Sequence, residues 1–394
     1  MGLSELQVEV CREVARQILG YSRALFPFFV LHDFTHSENI CCNLCELAKL
    51  FGITEWELNL LKMAAYLHDI GMALPPLVID ELNINIENVL RDIKKENRER
   101  MRGKISCFSR FIENNYVRLG KHALTAVEDA ARLVRLLHPF ISSSFIRRHL
   151  RDEIGVNLPQ EVELLCRYHN SKTPIPSSDE RLRRLVMALR LADSMDFTWA
   201  RGKYFFTIAW RQCLLDAVDQ LKHWAFKLSV EDVRVRGDSI TVKVSEGASR
   251  ASVLGVLLFE VANNFYEDWQ EIYSCGLETR VVVSKGGNRV EVTGFIEALN
   301  SAYKRVVQGY GGFDSSREFE NICSRLEGAV ESGTLDRLRD AHRRWRRESC
   351  APEVSIFDAL ALAVSKGVDI DDVVDRILST CVNAPVRERI KHLF

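Results

Sequence analysis

Six residues that can bind a metal ion or carry a proton lie where a helical apolar stripe would otherwise place an aliphatic side chain. They are His36, His68, Asp69, His122, His169 and Asp193. A buried polar group costs about 1–3 kcal/mol unless a partner satisfies it. Several helical faces interrupted in this way favour one shared solution, and a bound metal ion is the obvious candidate.

Each of these residues also has a simpler interpretation. A lone histidine on an apolar face is more often a core residue that is hydrogen-bonded to its neighbours. A lone aspartate there is rarer, because an unpaired buried carboxylate is costly. The combination of imidazoles and carboxylates suits Mn, Fe, Ni, Co or Zn better than Ca or Mg. The sequence therefore predicts a divalent transition-metal site with one or two ions, with Mg less favoured.

The elements that must position these side chains are predicted to be helices over residues 1–202. Glycine and proline residues predict breaks between the helices, one of them at Pro139. The highly charged stretch 92–104 predicts an exposed helix near the mouth of the metal site. That helix is interpreted either as a lid or as a solvated face, and the second interpretation is favoured.

Residues 203–308 have a different pattern. Alternating segments around the turns at 236–238 and 285–288 predict two β-hairpins, and a long amphipathic helix lies between them at about 252–273. This predicts a small antiparallel sheet covered by helix. Short helices are expected in residues 309–394, after a glycine-rich linker. The predicted fold class is mainly α: a helical bundle around a metal site, a small α+β subdomain and a C-terminal helical region.

The order and context of the candidate ligands resemble the HD superfamily of metal-dependent phosphohydrolases, which is named for an adjacent His-Asp pair. The resemblance covers about residues 20–200 and rests on the segments 33–38, 67–71, 121–125, 168–170 and 190–196. The dipeptide His32-Asp33 is interpreted as a chance pair beside His36. The resemblance implies an HD-type helical bundle and hydrolysis of a phosphate ester by metal-activated water.

The resemblance also implies roles for individual residues. His36, His68, Asp69 and Asp193 would bind a first ion. Binuclear members carry two more histidines between the His-Asp pair and the last aspartate, and His122 and His169 match that pattern, with Asp69 bridging the ions. Asp69 would also orient the attacking water, while Lys121, Lys172 and Arg190 are candidate phosphate contacts. Each of these three cations is also explained as a solvated charge beside a buried position.

One position departs from the pattern of relatives that cleave cyclic dinucleotides. Those relatives often carry a lysine after His-Asp-Ile-Gly, where this chain has Met72. The difference argues against a cyclic dinucleotide as substrate. The form Leu-His-Asp-Ile-Gly-Met more closely resembles HD domains of prokaryotic conflict and defence systems.

Two functions from different classes are compatible with the sequence. The first is a phosphohydrolase or phosphodiesterase that acts on a nucleotide or another phosphate ester. The second is a nucleic-acid-binding or nucleotide-sensing protein that uses the same scaffold without turnover. The complete ligand set favours the first. The basic run Arg343–Arg347, which surrounds Trp345, supports the second, although it also suits an ordinary exposed helix face.

Charge and composition limit the partners. The net charge of −1 gives no electrostatic argument for binding to nucleic acid or to a membrane. The expected partner is a phosphorylated small molecule, a nucleotide above all, and a homodimer is left open. The sequence contains no apolar run of about 18 residues, and its N-terminal residues predict an amphipathic helix in place of a signal peptide. A cytoplasmic protein is therefore expected. Cys42 and Cys45 are predicted to be buried helical cysteines.

Overall fold

The computed structural model describes residues 3–20, 32–74, 82, 84–93, 95, 98–99, 101–106, 123–153, 156–170, 173–175, 179–203, 218, 220–274, 279–348, 351 and 353–394. The chain divides into two compact units, Met1–Asp193 and Ser194–Phe394. Helices predominate and a small sheet lies in the second unit, which confirms the predicted fold class. Within these ranges, every helix is too short or too polar to cross a membrane.

The first unit is built from helices. They are α1 Leu3–Leu19, α2 Phe34–Leu50, α3 Glu55–Leu67, α4 Ile86–Arg91, α5 Ala123–Phe145, α6 Gln160–Tyr168 and α7 Glu180–Ser194. A short 3₁₀ turn, Ile70–Met72, follows α3, and a wider π-helical stretch, Ile146–Glu153, continues α5.

The starts of α2 and α3 are fixed by side-chain caps. Asp33 accepts a hydrogen bond from the backbone N–H of His36 at 3.2 Å. Thr54 and Glu57 form a reciprocal capping box at the start of α3. The buried carboxylate of Glu57 also pairs with Arg181 and Arg184 of α7, at 3.1 and 3.0 Å. The helix that leads to His68 is therefore tied to the helix that carries Asp193.

Pro139 does not end a helix, and the predicted break at this residue is wrong. Pro139 lies inside α5, where it lacks the N–H that would bond to the carbonyl of Arg135. The imidazole of His138 supplies the missing donor, with Nδ1 2.6 Å from that carbonyl oxygen. A side chain thus replaces the backbone donor, and the helix continues.

The charged stretch that follows α4 is not simply a solvated face. Its apolar side chains are buried against the side of α5 that carries Leu137, Phe140 and Ile141. Within the stretch Ile93 and Met101 are buried, as are the flanking residues Val89, Leu90 and Ile105. The stretch is therefore amphipathic, and one face belongs to the core of the first unit.

Cys42 and Cys45 are exposed and carry free thiols, so the predicted burial is wrong for both. The buried face of α2 is formed by Ile40, Leu44 and Leu47. Cys42 lies about 200° around the helix from Ile40 at 3.6 residues per turn. The apolar stripe of α2 is narrower than the run of cysteines suggests.

The second unit contains a four-stranded sheet in the order β1-β2-β3-β4. The strands are β1 Val230–Arg236, β2 Ser239–Val244, β3 Arg280–Lys285 and β4 Asn288–Glu291. Both predicted hairpins are present, but β2 and β3 pair in parallel, so the expectation of an all-antiparallel sheet is wrong at its centre. The long helical connection returns the chain to the sheet in the same direction, as a parallel pair requires.

The helices of the second unit begin with α8 Leu221–Ala225. They continue with α9 Arg250–Gly255, a π-helical stretch Val256–Asn263, α10 Asn264–Ser274, α11 Ile296–Gln308, α12 Ser315–Leu326, α13 Ser332–Arg347, α14 Ile356–Lys366, α15 Asp371–Cys381 and α16 Ala384–Ile390. Phe357 of α14 contacts the rings of Phe226, Phe259 and Tyr303. Residues after Gly309 therefore share a core with residues 203–308, where the sequence predicted two separate regions.

Candidate metal centre

Asp69 lies at the centre of a cluster of buried histidines in the first unit. It follows His68, where α3 ends and the 3₁₀ turn begins. Its side chain is 4% exposed. Each of its two carboxylate oxygens faces a different pair of histidines.

The first pair lies on the side of Oδ2. This oxygen is 3.5 Å from His36 Nε2 and 3.1 Å from His68 Nε2, and His36 Nε2 is 3.2 Å from Asp193 Oδ1. The potential ligand atoms of His36, His68 and Asp69 all lie within 4.8 Å of one another. The structure thus brings together the four residues that the sequence assigned to a first ion.

The second pair lies on the side of Oδ1. This oxygen is 3.3 Å from His138 Nε2 and 3.8 Å from His169 Nε2, and the two nitrogens are 3.0 Å apart. Asp69, His138 and His169 form a second group with metal-ligand spacing. His169 was predicted for this role and His138 was not. His122 lies outside the described residues, as do Lys121 and Lys172.

Three of the four histidines hold their rings in one tautomer through the same type of hydrogen bond, from Nδ1 to the carbonyl oxygen three residues earlier. The bonds run from His68 to Ala65 at 2.9 Å, from His138 to Arg135 at 2.6 Å and from His169 to Cys166 at 2.6 Å. Because a carbonyl only accepts, Nδ1 carries the proton, and in the neutral ring Nε2 presents a lone pair toward Asp69. Metal-binding histidines use this arrangement.

The electrostatics keep His169 neutral and both carboxylates ionised, as cation ligands must be. Burial, aided by His68 and His138, lowers the pKa of His169 to about 3, so its imidazole is neutral at neutral pH. Burial opposes the charge on Asp69, but the surrounding histidines outweigh it and hold the pKa of Asp69 well below its ordinary value. Burial likewise opposes the charge on Asp193, yet the approach of His36, with Nε2 3.2 Å from Oδ1, keeps the pKa of that carboxyl low.

The residues present suit a divalent transition metal. His68 Nε2 is buried and makes no hydrogen bond within the described part of the chain, although Asp69 Oδ2 lies 3.1 Å away. A buried imidazole lone pair that faces a carboxylate is unfavourable unless a cation lies between them. The donors are imidazole nitrogens and carboxylate oxygens, the ligand types that Zn, Mn, Fe, Co and Ni accept.

His32 borders the cluster, although its sequence context predicted only a chance neighbour of His36. Its Nε2 lies 3.9 Å from Asp69 Oδ2, and its ring meets that of His36 edge-on with centroids 5.8 Å apart. The dismissal of the His32-Asp33 dipeptide therefore holds only for Asp33, which caps α2.

Arg190 positions the chain around His169. Its side chain is buried and its guanidinium donates to the carbonyl oxygens on both sides of His169, those of Tyr168 at 2.8 Å and Asn170 at 2.9 Å. It also donates to Thr173 O at 2.6 Å. The structure gives Arg190 this positioning role, and its phosphate contact stays a prediction.

The HD-CE family matches residues 26–271 of the chain. The matched segment contains every residue of the cluster and extends past residue 202, the predicted end of the helical domain, into α10. No curated protein and no solved structure matches the chain. The family match covers more than half of the sequence and includes the His68-Asp69 pair with its surrounding ligands, and on this basis the chain belongs to the HD-CE family, a family of HD-type domains.

Proposed function

We propose that the protein is a metal-dependent phosphohydrolase that cleaves a phosphate monoester or diester, with a nucleotide as the substrate. The observation that carries the proposal is the division of the two Asp69 oxygens between two histidine pairs. A carboxylate in that position suits the bridge of a two-metal hydrolytic site. Membership of an HD-type family supports the same chemistry.

The chain supplies the ligands in a reactive form. When bound, divalent ions at this cluster would supply Lewis acidity toward a phosphoryl oxygen and hydroxide at neutral pH. His169 remains neutral at neutral pH, and the ionised Asp69 is held between its partners. Asp193 is 34% exposed, whereas the histidine next to it, His36, is 1% exposed. Of the first four candidate ligands, Asp193 is thus the one open to solvent.

The alternative function without turnover rests on the basic run of α13. In the structure Arg343 pairs with Asp340, and Arg346 donates to the hydroxyls of Ser315 and Ser316. Part of the run is thus engaged within its own unit, which weakens the argument for a nucleic-acid surface.

The test is metal-dependent turnover. Protein stripped with a chelator is reloaded separately with Mn²⁺, Fe²⁺, Co²⁺, Ni²⁺, Zn²⁺ or Mg²⁺ and assayed against nucleoside phosphates, cyclic nucleotides and a chromogenic phosphodiester. We expect hydrolysis with at least one transition metal and loss of that hydrolysis to background in Asp69→Ala, with an unchanged far-UV circular dichroism spectrum. Nucleotide binding without turnover under every loading would favour the alternative. Full activity in Asp69→Ala would overturn the proposal.

A further inference from the structure

The hydroxyl of Ser142 lies against the backbone on both sides of Asp69. Ser142 belongs to α5 and is fully buried. Its Oγ donates to the carbonyl oxygen of His68 at 2.6 Å and accepts from the N–H of Gly71 at 2.9 Å. One side chain from a distant helix therefore closes the turn that carries the His-Asp pair.

The two backbone groups bound by Ser142 lie where regular hydrogen bonding is interrupted. His68 caps the C-terminal end of α3, and Gly71 lies in the 3₁₀ turn that follows. Carbonyls at a helix end and N–H groups at the start of the next helix lack partners within their own elements. Ser142 satisfies one of each, so its loss would leave two buried polar groups without partners.

Ser142 follows His138 by four residues, so both side chains lie on the same face of α5. His138 presents Nε2 to Asp69 Oδ1 at 3.3 Å, while Ser142 holds the backbone around the same aspartate. A single helical turn of α5 thus contacts Asp69 at its carboxylate and at its flanking peptide groups. The position of His138 relative to the Asp69 carboxylate is set by this pair of contacts.

Gly71 allows α5 to approach this closely. A Cβ atom at position 71 would lie 2.7 Å from the carbonyl oxygen of His138 and 2.9 Å from both Ile141 Cβ and Ser142 Oγ. The backbone of α5 occupies the space that any larger residue would need. The Ser142 hydrogen bonds therefore join α5 to the turn at Gly71, two segments whose backbones are already as close as packing allows.

We propose that Ser142 is a positioning residue that holds the Asp69 turn in register with His138 and thereby assembles the second half of the metal site, formed by Asp69, His138 and His169. The proposal rests on the metal-dependent function proposed for this cluster. Ser142 acts through the backbone of His68 and Gly71 and does not itself bind an ion. Its loss should affect the second half of the site more than the first half, formed by His36, His68, Asp69 and Asp193.

The experiment compares Ser142→Ala with Ser143→Ala in the full-length protein. Ser143 is a matched control because it is the next residue of α5 and is equally buried, but its hydroxyl faces Glu163 at 3.4 Å. Two quantities are measured: the affinities for successive equivalents of Mn²⁺ or Zn²⁺ in competition with a chelator, and the hydrogen-exchange rate of the Gly71 amide in the metal-free protein.

We expect the wild type and Ser143→Ala to bind two equivalents. Ser142→Ala should keep the first and bind the second about 10–100-fold more weakly, the usual effect of losing a group that orients a ligand. The Gly71 amide should exchange at least about tenfold faster in Ser142→Ala only. Unchanged affinity for both equivalents, or unchanged exchange at Gly71, would overturn the proposal.

Failure of the proposed function gives a different result. If the wild type binds no transition metal, the metal-dependent function fails, and the Gly71 exchange rate alone decides whether Ser142 holds the turn. If Ser142→Ala does not fold, Ser142→Cys replaces it, because a thiol has a similar size and is a much weaker hydrogen-bond donor. A Ser142→Cys protein with wild-type second-ion affinity and wild-type Gly71 exchange would also overturn the proposal.

Discussion

His138 is held in its ligand tautomer by the residue that follows it. Pro139 has no N–H, so the carbonyl of Arg135 is left for the imidazole Nδ1 of His138, 2.6 Å away. This directs Nε2 toward Asp69 Oδ1. A residue that is unfavourable for the helix is therefore connected to the geometry of the metal site.

Pro139→Ala should make the metal-free protein more stable and at the same time weaken binding of the second ion. A proline inside a helix costs about 3 kcal/mol, so we expect the metal-free variant to unfold at a higher temperature than the wild type. The backbone N–H that the substitution introduces would compete with His138 Nδ1 for the Arg135 carbonyl, so the affinity for the second ion should fall several-fold. Calorimetry without metal and chelator competition with metal measure the two effects. A less stable variant with unchanged metal affinity would contradict this argument.

His138→Ala should remove one metal equivalent, because His138 provides one of the two imidazoles beside Asp69 Oδ1. His149→Ala is the matched control, since His149 lies about three helical turns further along, in the π-helical continuation of α5, with its ring against Phe145. Elemental analysis of freshly purified protein should give about one equivalent less in the first variant and no change in the second. Equal metal content in both variants would show that His138 is not a ligand.

At the scale of elements, the site is assembled from the ends of helices and one helix interior. His68 and Asp69 lie where α3 ends, His169 lies just after α6, and His36 and Asp193 come from α2 and α7. α5 contributes His138 from its middle. Arg190 of α7 fixes the chain around His169 through its carbonyl bonds.

Arg190→Lys should loosen the chain around His169 and thereby weaken metal binding at His169. A lysine cannot reproduce the fork of guanidinium donors, and each carbonyl left buried without a partner costs about 1–3 kcal/mol. We expect a lower unfolding temperature and a weaker second ion. Arg181→Lys is the control on the same helix, because its pair with Glu57 at 3.1 Å is largely exposed on the arginine side and a lysine can replace it. Identical behaviour of the two variants would argue against the positioning role.

The sequence predicted the elements better than it predicted their spatial arrangement. The candidate ligands His36, His68, Asp69, His169 and Asp193 interrupt apolar stripes, and the structure brings them together. His138 was missed because it precedes a proline that was interpreted as a helix end. The available signal was the His-Pro step inside an apolar helix, since Pro139 leaves a carbonyl that a histidine at position 138 can bind.

The strand pairing and the contacts of Arg190 are two further features that could not be predicted from the sequence. Alternation of apolar residues identifies strands and hairpins but does not determine which hairpin strands become neighbours, so the parallel pairing of β2 with β3 was not foreseen. The phosphate role suggested for Arg190 followed from its position near Asp193. In the structure Arg190 donates to the backbone carbonyls of Tyr168 and Asn170. The positions of these carbonyls depend on how the chain turns after α6, and side-chain patterns do not encode that turn.

At the scale of the whole molecule, the chain forms two compact units with different sources of stability. The first contains the candidate metal site around Asp69. The second contains a buried ion pair in which Lys227 Nζ lies 2.7 Å from Glu260 Oε2. Burial opposes both charges and is the main reason why the pKa of Lys227 is lowered and that of Glu260 is raised. Removal of Lys227 leaves the buried carboxylate of Glu260 without its paired cation, and the neutral amide of Asn264, 3.2 Å away, remains as a donor.

This organisation predicts two separable unfolding transitions. A metal ion at about 100 times its dissociation constant should stabilise the first unit by about 2.7 kcal/mol. Lys227→Met should destabilise the second by about 3–5 kcal/mol, with partial recovery in Lys227→Met/Glu260→Gln. Differential scanning calorimetry, with and without metal, should show each change in a different transition. A single transition that shifts as a whole in both experiments would refute the prediction.

The ring hydrogen bonds of His68, His138 and His169 also affect how fast an ion is captured. The three imidazoles adopt their final orientation when the chain folds, so capture requires no search among ring rotamers and little loss of side-chain entropy. The slow step then belongs to the ion, which must shed its hydration shell. Ni²⁺, which exchanges its water slowly, should therefore enter the metal-free protein more slowly than Mn²⁺, whatever the final affinities.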